Sequence, residues 1–134
     1  MDDEQLIEAA KEARENAHAP YSNYFVGAAI VDDQGCVHRG CNVENAAYPE
    51  GNCAEANAIG AMVAAGGKKI SVIAAVGGSD ALEFCTPCGG CRQSILEFSD
   101  DDTRVILLNE EGKIQDYSID ELLPLAFRLR QARL

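Results

Sequence analysis

Apolar and polar positions alternate with a helical period at the start of the chain. An amphipathic helix is predicted over residues 4–18, and Pro20 is predicted to end it. Its apolar face carries Leu6, Ile7, Ala10, Ala13 and Ala17. After this helix, the runs FVGAAIVDD and CVHRGCNV predict two strands that meet across the turn DDQG. The chain is therefore predicted to open with a helix followed by a β-hairpin.

Apolar runs dominate the middle of the chain. Residues 53–65 are apolar on all sides, which predicts a helix buried over most of its surface. The run KKISVIAAVGG predicts a continuous apolar strand of the kind found at the centre of a sheet. Beyond it, GGCRQSILEF predicts a helix, TRVILLN a strand, KIQDYSI an edge strand and DELLPLAF a short last helix.

The predicted order of elements is α-β-β-α-β-α-β-β-α. This order indicates an α/β fold, a three-layer α-β-α sandwich with a mixed, about five-stranded central sheet. The helix between the second and third strands predicts a parallel crossover. With 134 residues and no linker, repeat or low-complexity segment, residues 1–134 are interpreted as a single domain.

Charge and cysteine content narrow the range of partners. The net charge of −11 disfavours nucleic acid and anionic membranes as partners, because phosphates attract basic surfaces. A small neutral or cationic substrate is more compatible with this negative charge.

No apolar stretch approaches the roughly 20 residues of a membrane span. The acidic start, MDDEQLIEAAKEA, is unlike a signal peptide, so we expect a cytoplasmic protein. In that reducing compartment, six cysteines with a CxxC pair favour metal binding over disulfides.

Three cysteines lie at the starts of two predicted helices. Cys53 begins one helix, and Cys88 and Cys91 begin the next, in a C-x34-C-x2-C arrangement. First-turn N–H groups and the helix dipole stabilise thiolates at such positions. Three protein ligands are typical of a catalytic zinc site, which keeps a fourth position for water, whereas a structural site has four. The pattern predicts one zinc ion per chain.

A fourth protein ligand stays open as an alternative. The two histidines are unconvincing ligands, since His18 ends the first helix and His38 lies in the hairpin. Cys36, Cys41 and Cys85 are the other candidates. All three are also compatible with small apolar packing residues.

A carboxylate accompanies the first cysteine. Glu55 follows Cys53 by two residues, so it can point into the same cavity without being a ligand. A carboxylate beside a zinc site can take a proton from water and pass it on. The alternative is a first-turn glutamate that only complements the helix dipole. The nearby PCxxC motif favours the catalytic interpretation.

Four motifs in order resemble the small zinc-dependent cytidine deaminases over nearly the whole chain. These are PYSNYFVGAAI, GCNVENAAYPEGNCAE, TPCGGCRQSILEF and ELLPLAF. The C-x-E…P-C-x-x-C pattern matches the signature of zinc deaminases. The resemblance implies zinc held by Cys53, Cys88 and Cys91, with Glu55 as the proton shuttle. The implied reaction is hydrolytic deamination of cytidine and deoxycytidine in pyrimidine salvage.

The resemblance also implies a set of substrate contacts. Asn42 and Glu44 would hold a ribose hydroxyl. Tyr24 stands where the family usually has Phe against the base. Backbone groups of Ala54 and Thr86 would contact the pyrimidine.

Two aromatic residues match family positions that complete a neighbouring subunit's site. They are Tyr48 and Phe127, and they imply a homotetramer with shared active sites.

The chain departs from the family pattern in two places. Ala56 replaces the arginine that usually follows the glutamate, and FRLRQARL lacks the usual acidic tail. The family's arginine can draw charge from the thiolates. Arg92, directly after Cys91, is a candidate to supply the missing cation, although it is also compatible with an ordinary surface arginine.

Three other functions remain as alternatives. A sister deaminase could act on another aminopyrimidine nucleoside such as blasticidin S, but NVEN supplies polar groups suited to a sugar. A non-enzymatic zinc domain would need a fourth ligand and leave Glu55 without a role. Editing of a polynucleotide is opposed by the net charge of −11.

Overall fold

The structure, a computed structural model, describes residues 1–129. Its helices are α1 (Asp3–Arg14), α2 (Ala54–Ala64), α3 (Gly89–Glu97) and α4 (Ile119–Leu122), with a 3-10 helix at Tyr48–Glu50. Its strands are β1 (Phe25–Asp32), β2 (Val37–Cys41), β3 (Ile70–Gly78), β4 (Arg104–Leu108) and β5 (Ile114–Ser118). The predicted order of helices and strands is confirmed, and the 3-10 helix was not predicted. The C-terminal departure FRLRQARL continues into residues 130–134, outside the described residues.

The five strands form one mixed sheet in the order β2-β1-β3-β4-β5. Strand β1 is antiparallel to both β2 and β3, β3 is parallel to β4, and β4 is antiparallel to β5. The strand predicted to be central is β3, which lies in the middle of the sheet, and the predicted edge strand is β5, which lies at one edge. Both predictions are confirmed. Strands β2 and β3 run in the same direction with β1 between them, so the connection through α2 is the predicted parallel crossover.

Helices cover both faces of the sheet. Helix α1 packs Leu6, Ile7 and Ala10 against one face. Helices α2, α3 and α4 cover the other face, where Met62 and Ile95 are fully buried. This is the predicted three-layer sandwich. Within residues 1–129, no helix has the length and apolar character that crossing a membrane requires.

Two glycines let helix backbones lie directly on the hairpin. A Cβ at Gly27 would come within 1.9 Å of the carbonyl oxygen of Ala10 in α1. A Cβ at Gly40 would come within 2.4 Å of the backbone nitrogen of Ala58 in α2. The two glycines belong to neighbouring rungs of the ladder, since Gly27 pairs with Cys41 and Gly40 pairs with Ala28. The position of α2 over the sheet therefore depends on the missing side chain at Gly40.

The first helix is shorter than predicted. It ends at Arg14, and the next residues form a turn. The backbone N–H of His18 then donates to the Asn42 carbonyl at 3.0 Å, and the Glu44 N–H donates to the His18 carbonyl at 2.8 Å. These tertiary hydrogen bonds hold the chain extended at His18, where local apolar spacing alone predicts a helix.

The last helix is also shorter than predicted. Helix α4 ends at Leu122, two residues before Pro124. A proline disfavours helical backbone in the residue before it, and Leu125 adopts a positive φ of 54°. The chain therefore leaves the helix before reaching Phe127.

Helix α2 buries only one side in the single chain. Ala54, Ala58 and Met62 are fully buried, but Val63 is 48% exposed and Gly60 and Ala61 are also exposed. The prediction of burial on most sides is therefore wrong for the single chain. The exposed side of α2 carries small residues, among them Gly60 and Ala61.

Candidate active site

The N-termini of α2 and α3 meet and bring three thiols together. Cys53 is the N-cap of α2, Cys88 is the N-cap of α3, and Cys91 lies in the first turn of α3. The three sulfur atoms all lie within 4.8 Å of one another. The predicted ligand set is therefore brought together by the fold.

Local backbone geometry leaves two of these sulfurs available for a ligand. Cys53 and Cys88 have extended backbones, and neither side chain makes a capping hydrogen bond. Their carbonyls start the helices by accepting the N–H of Asn57 at 3.1 Å and of Arg92 at 2.9 Å. N-cap side chains such as Ser or Asp usually satisfy the first-turn N–H groups. Here the N-cap side chain leaves them without such a partner at both helix starts.

The cluster fits a zinc ion in distance. With Zn–S bonds of about 2.3 Å, sulfurs in a tetrahedral site lie roughly 3.8 Å apart. The Sγ atoms of Cys53 and Cys88 are 4.0 Å apart. Thiolates are also ligands that zinc favours. Among the described residues, the cluster holds no fourth protein ligand, which leaves room for water.

The charges in the cluster also suit a cation. Burial raises the pKa of Cys53, and burial together with the negative charge of Glu55 raises the pKa of Cys91. Burial acts in the same direction on Cys88, but hydrogen bonds from Cys91 and Cys53 outweigh it and lower the pKa of Cys88. A divalent cation would stabilise all three thiolates, because a metal deprotonates the thiols that coordinate it.

Glu55 lies inside the protein next to the cluster. It is only 4% exposed, although it follows the exposed Cys53 by two residues. Burial raises the pKa of its carboxyl, and a hydrogen bond with Cys91 opposes the rise. A buried carboxyl in contact with a metal-ligating thiol can hold or release a proton beside the metal.

The two predicted sugar-binding residues make different contacts. Asn42 Oδ1 accepts the N–H of Val26 at 2.8 Å, and its Nδ2 donates to the Tyr24 carbonyl at 2.9 Å. The Asn42 amide therefore serves the backbone of β1. Glu44 Oε1 accepts the N–H groups of Tyr21 at 3.0 Å and Ser22 at 3.1 Å. Sugar binding by either side chain stays a prediction.

A cavity of about 310 Å³ borders Glu44. Its other lining residues are Tyr21, Ser22, Asn45, Tyr48 and Gly51. The cysteine cluster does not line this cavity. Glu44 faces an open cavity.

Tyr24 is half-buried near one of the remaining cysteines. Burial and hydrogen bonding to Cys85 and Glu83 raise the pKa of its hydroxyl. A Cβ at Gly77 would meet the Cys85 sulfur at 2.8 Å, so Cys85 packs closely on β3. This contact favours the packing interpretation of Cys85. Cys36 and Cys41 also lie outside the cluster.

The other predicted contact residues differ in accessibility. Ala54 is fully buried at the start of α2, and Thr86 is exposed in the loop before Cys88. Tyr48 is 74% exposed and Phe127 is 69% exposed. Tyr48 packs edge-on against Tyr21 with ring centroids 6.0 Å apart. The single chain therefore leaves both aromatics of the predicted shared site accessible.

Arg92 binds carbonyl groups in the structure. Its Nε donates to the Pro87 carbonyl at 2.7 Å, and its Nη1 donates to the Leu122 carbonyl at 2.6 Å. No hydrogen bond from Arg92 to a thiol is present among residues 1–129. The guanidinium thus ties the peptide that precedes Cys88 to the end of α4.

Two supporting residues were not singled out from the sequence. Ser22 hydrogen-bonds the Glu44 carboxylate and also accepts the Tyr24 N–H at 3.0 Å. Asn57 Nδ2 donates to the Cys41 carbonyl at 2.8 Å and ties α2 to β2. A serine that accepts an N–H two residues later is a common turn signal. That signal in PYSNY could have identified Ser22, but not its contact with Glu44.

Comparison with known proteins identifies the family. The protein-family model that describes the cytidine and deoxycytidylate deaminase zinc-binding region matches residues 1–108 of the sequence. The chain belongs to the cytidine deaminase family. A cytidine deaminase of Halalkalibacterium halodurans is 44% identical over 127 residues, which cover 95% of this chain and 95% of that protein. As in that family, the three thiols form a zinc-binding site.

The fold of a solved cytidine deaminase agrees with the structure. The crystal structure of a cytidine deaminase from Burkholderia pseudomallei superposes with a TM-score of 0.86 at 46% identity, covering 95% of this chain and 100% of that one. A blasticidin-S deaminase of Bacillus cereus is 32% identical over 131 residues, covering 93% of this chain and 91% of that protein. The chain is thus more similar to these cytidine deaminases than to this blasticidin-S deaminase.

Proposed function

We propose that the protein catalyses the hydrolytic deamination of cytidine and deoxycytidine to uridine and deoxyuridine, with release of ammonia. The observation that carries this proposal is the buried carboxyl of Glu55 beside three thiols at two helix starts. A zinc-binding domain with only a structural role would not need a buried carboxyl that binds no metal. Membership of the cytidine deaminase family supports the same reaction.

Glu55 moves the protons in this reaction. Cys53, Cys88 and Cys91 would hold the zinc ion, which would supply the Lewis acidity that makes water nucleophilic near neutral pH. The Glu55 carboxylate accepts a proton from the attacking water and delivers it to N3 of the pyrimidine. The water oxygen bonds to C4. Glu55 then takes the second proton from that oxygen, which becomes the carbonyl oxygen, and passes it to the amino group, which leaves C4 as ammonia. One water is consumed for each ammonia released.

Several residues would orient the nucleoside. Glu44 has a fixed, charged carboxylate at the edge of a cavity, which suits a sugar hydroxyl. We assign the same role to Asn42, through the acceptor and donor capacity that its backbone contacts leave free. Tyr24 would lie against the base, with the backbones of Ala54 and Thr86 at the pyrimidine edge.

We further propose a homotetramer whose active sites are shared between subunits. The exposure of Tyr48 and Phe127 supports it, because aromatic residues are enriched in the contact surfaces between protein chains. The exposed cysteines Cys53 and Cys88 support it as well, because a hydrolytic site benefits from excluding bulk water. A reducing cytoplasm would keep these thiols free for zinc, and pyrimidine salvage is the process that such a reaction would serve.

Blasticidin S deamination is the second candidate. The 32% identity to a blasticidin-S deaminase supports this second candidate. The higher identity to the cytidine deaminases favours cytidine.

An ammonia-release assay over cytidine, deoxycytidine, cytosine, blasticidin S and adenosine tests the proposal. We expect turnover of cytidine and deoxycytidine, poor turnover of cytosine, and none of adenosine. Turnover of blasticidin S alone would replace the first candidate with the second. Ammonia release from none of the five compounds by the zinc-loaded protein would contradict both.

A further inference from the structure

The hydroxyl of Ser22 lies between two residues that are placed at the substrate. Ser22 Oγ donates to Oε2 of Glu44 and accepts the backbone N–H of Tyr24 at 3.0 Å. One hydroxyl thus joins the carboxylate assigned to the sugar and the backbone of the residue assigned to the base. Its donor hydrogen is fully used by Glu44.

The Glu44 carboxylate is held by a short segment of the chain. Oε1 accepts two backbone N–H groups, from Tyr21 and Ser22, and Oε2 accepts the Ser22 hydroxyl. An ionised carboxylate offers about four acceptor sites. Three of them are occupied, so Oε2 keeps roughly one for a further donor. This count suits a single hydroxyl of a ligand.

Charge and anchoring agree with this geometry. The hydrogen bond from the Ser22 hydroxyl is the main reason that the pKa of Glu44 is lowered, and the backbone hydrogen bonds from Ser22 and Tyr21 act in the same direction. The Glu44 backbone is fixed as well, since its N–H donates to the His18 carbonyl at 2.8 Å. The carboxylate is therefore charged and fixed in orientation before a ligand arrives, which lowers the entropic cost of binding.

We propose that Ser22 is a positioning residue for sugar recognition, and that it orients the Glu44 carboxylate toward one hydroxyl of the nucleoside. This inference rests on the proposed function. Ser22 needs no contact with the reacting atoms for this role, so it affects substrate binding and leaves the chemical step unchanged. The alternative is a serine that only stabilises its own turn through the Tyr24 N–H.

Steady-state kinetics of Ser22→Ala separate the two roles. We expect KM for cytidine to rise roughly tenfold with kcat nearly unchanged, since a hydrogen bond to a charged group is lost. Ser22→Thr keeps the hydroxyl and should stay close to wild type. Ser99→Ala is a matched control, because the Ser99 hydroxyl donates to the Ile95 carbonyl away from the site. It should change neither constant.

Nucleosides that lack either the 2′ and 3′ hydroxyls or the 5′ hydroxyl show which of these two sides of the sugar Glu44 contacts. With 2′,3′-dideoxycytidine and 5′-deoxycytidine, the penalty of Ser22→Ala should disappear for one compound and persist for the other. A turn-stabilising serine predicts the same penalty on both, and that result would overturn the proposal.

A double-mutant cycle with Glu44→Gln gives a second test that does not depend on one variant. If Ser22 acts through Glu44, Ser22→Ala should change KM by less than about twofold in the Glu44→Gln background. Additive effects, or a Ser22→Thr variant as impaired as Ser22→Ala, would overturn the proposal. A wild-type protein that deaminates no cytidine nucleoside would refute the proposed function. An active wild type with a Ser22→Ala variant of equal KM would refute only the positioning role.

Discussion

The Sγ atoms of Cys53 and Cys88 lie 4.0 Å apart, although 35 positions separate the two residues in the chain. Each of them is the N-cap of a different helix, and strand β3 connects those helices. A zinc ion at this point therefore links α2 directly to α3. Its binding energy contributes to holding the two helices together, because the unfolded chain has no preformed site.

Zinc content should depend on the clustered cysteines alone. We expect one zinc per chain in the wild type and loss of zinc in Cys88→Ala, because two thiolates hold the ion much less tightly. Cys36→Ala is the matched control, since Cys36 is exposed and outside the cluster. Metal analysis of the purified variants checks this prediction. Two zinc ions per chain, or loss of zinc in Cys36→Ala, would contradict it.

Replacing Glu55 by glutamine should abolish turnover and keep the metal. The amide has the same size as the carboxyl but cannot carry a proton, and general acid–base groups contribute roughly 10²–10⁴-fold. We expect Glu55→Gln to retain zinc and thermal stability, and to lose at least about 99% of kcat. Metal analysis and an ammonia-release assay measure the two properties. More than about a tenth of the wild-type activity would exclude proton transfer by Glu55.

Arg92 should support zinc binding through the peptide before Cys88. Its guanidinium donates to the carbonyls of Pro87 and Leu122 and so fixes the start of α3. We expect Arg92→Gln to lose zinc faster to a chromophoric chelator, with a smaller effect in Arg92→Lys. Arg39→Gln serves as the control, since Arg39 is an exposed residue of β2.

A further variant tests whether an arginine at position 56, where the family usually has one, can stabilise the zinc-binding thiolates. Ala56→Arg, introduced into Arg92→Gln, should partly restore zinc retention. Unchanged chelation kinetics in Arg92→Gln would show that the helix N-termini hold the metal without this arginine.

Shared active sites can be tested with two inactive variants. Glu55→Gln lacks the proton shuttle, and we expect Phe127→Ala to lack the group that completes a neighbouring site. Hybrids co-assembled from the two should regain part of the wild-type activity, because some sites combine an intact Glu55 with an intact Phe127. Each variant mixed with itself is the control. Verified hybrids without activity would count against sharing.

The hairpin carries a buried hydrogen bond between Asp32 and His38, and its contribution to stability should depend on pH. Asp32 is 4% exposed, and its Oδ2 lies 2.8 Å from Nε2 of His38. This contact lowers the pKa of Asp32. Because the carboxyl is more acidic in the folded state, the ionised form stabilises the fold above the unfolded-state pKa of about 3.9, and this stabilisation is lost as the pH falls through the folded value.

Urea denaturation of Asp32→Asn between about pH 3 and pH 6 checks this dependence. We expect the variant to be clearly less stable than the wild type at the upper end, and the difference between the two unfolding free energies to narrow toward the lower end. The exposed Asp101→Asn should not differ from the wild type in this way. A constant difference across the range would exclude the ionised carboxyl as the source.

The features that the sequence predicted well are local ones. Cys88 and Cys91 are three residues apart, and Cys53 and Glu55 are two apart, so a helix start suffices to bring each pair to one end. The element order and the central strand likewise follow from apolar runs that require no knowledge of distant contacts. These predictions depend on short-range spacing, which a single sequence states directly.

The features that escaped prediction depend on distant partners. Backbone hydrogen bonds that His18 makes with Asn42 and Glu44 hold the chain extended after α1, although the apolar spacing there is helical. The contact between Ser22 and Glu44 joins two loops, and nothing in either loop encodes the other. Which side of α2 is exposed depends on how the helix packs on the sheet. The composition of α2 alone therefore could not indicate how much of the helix a single chain buries.

The contact of Gly40 with α2 has a consequence for how the protein tolerates mutation. Gly40 carries no reactive group and lies 13 positions before Cys53, yet any side chain there would collide with the backbone of Ala54 and Ala58. To relieve that collision, α2 must lift away from the sheet, and its first turn carries both Cys53 and Glu55. In a scan of all substitutions, Gly40 should therefore group with the metal ligands, as a position where even alanine inactivates.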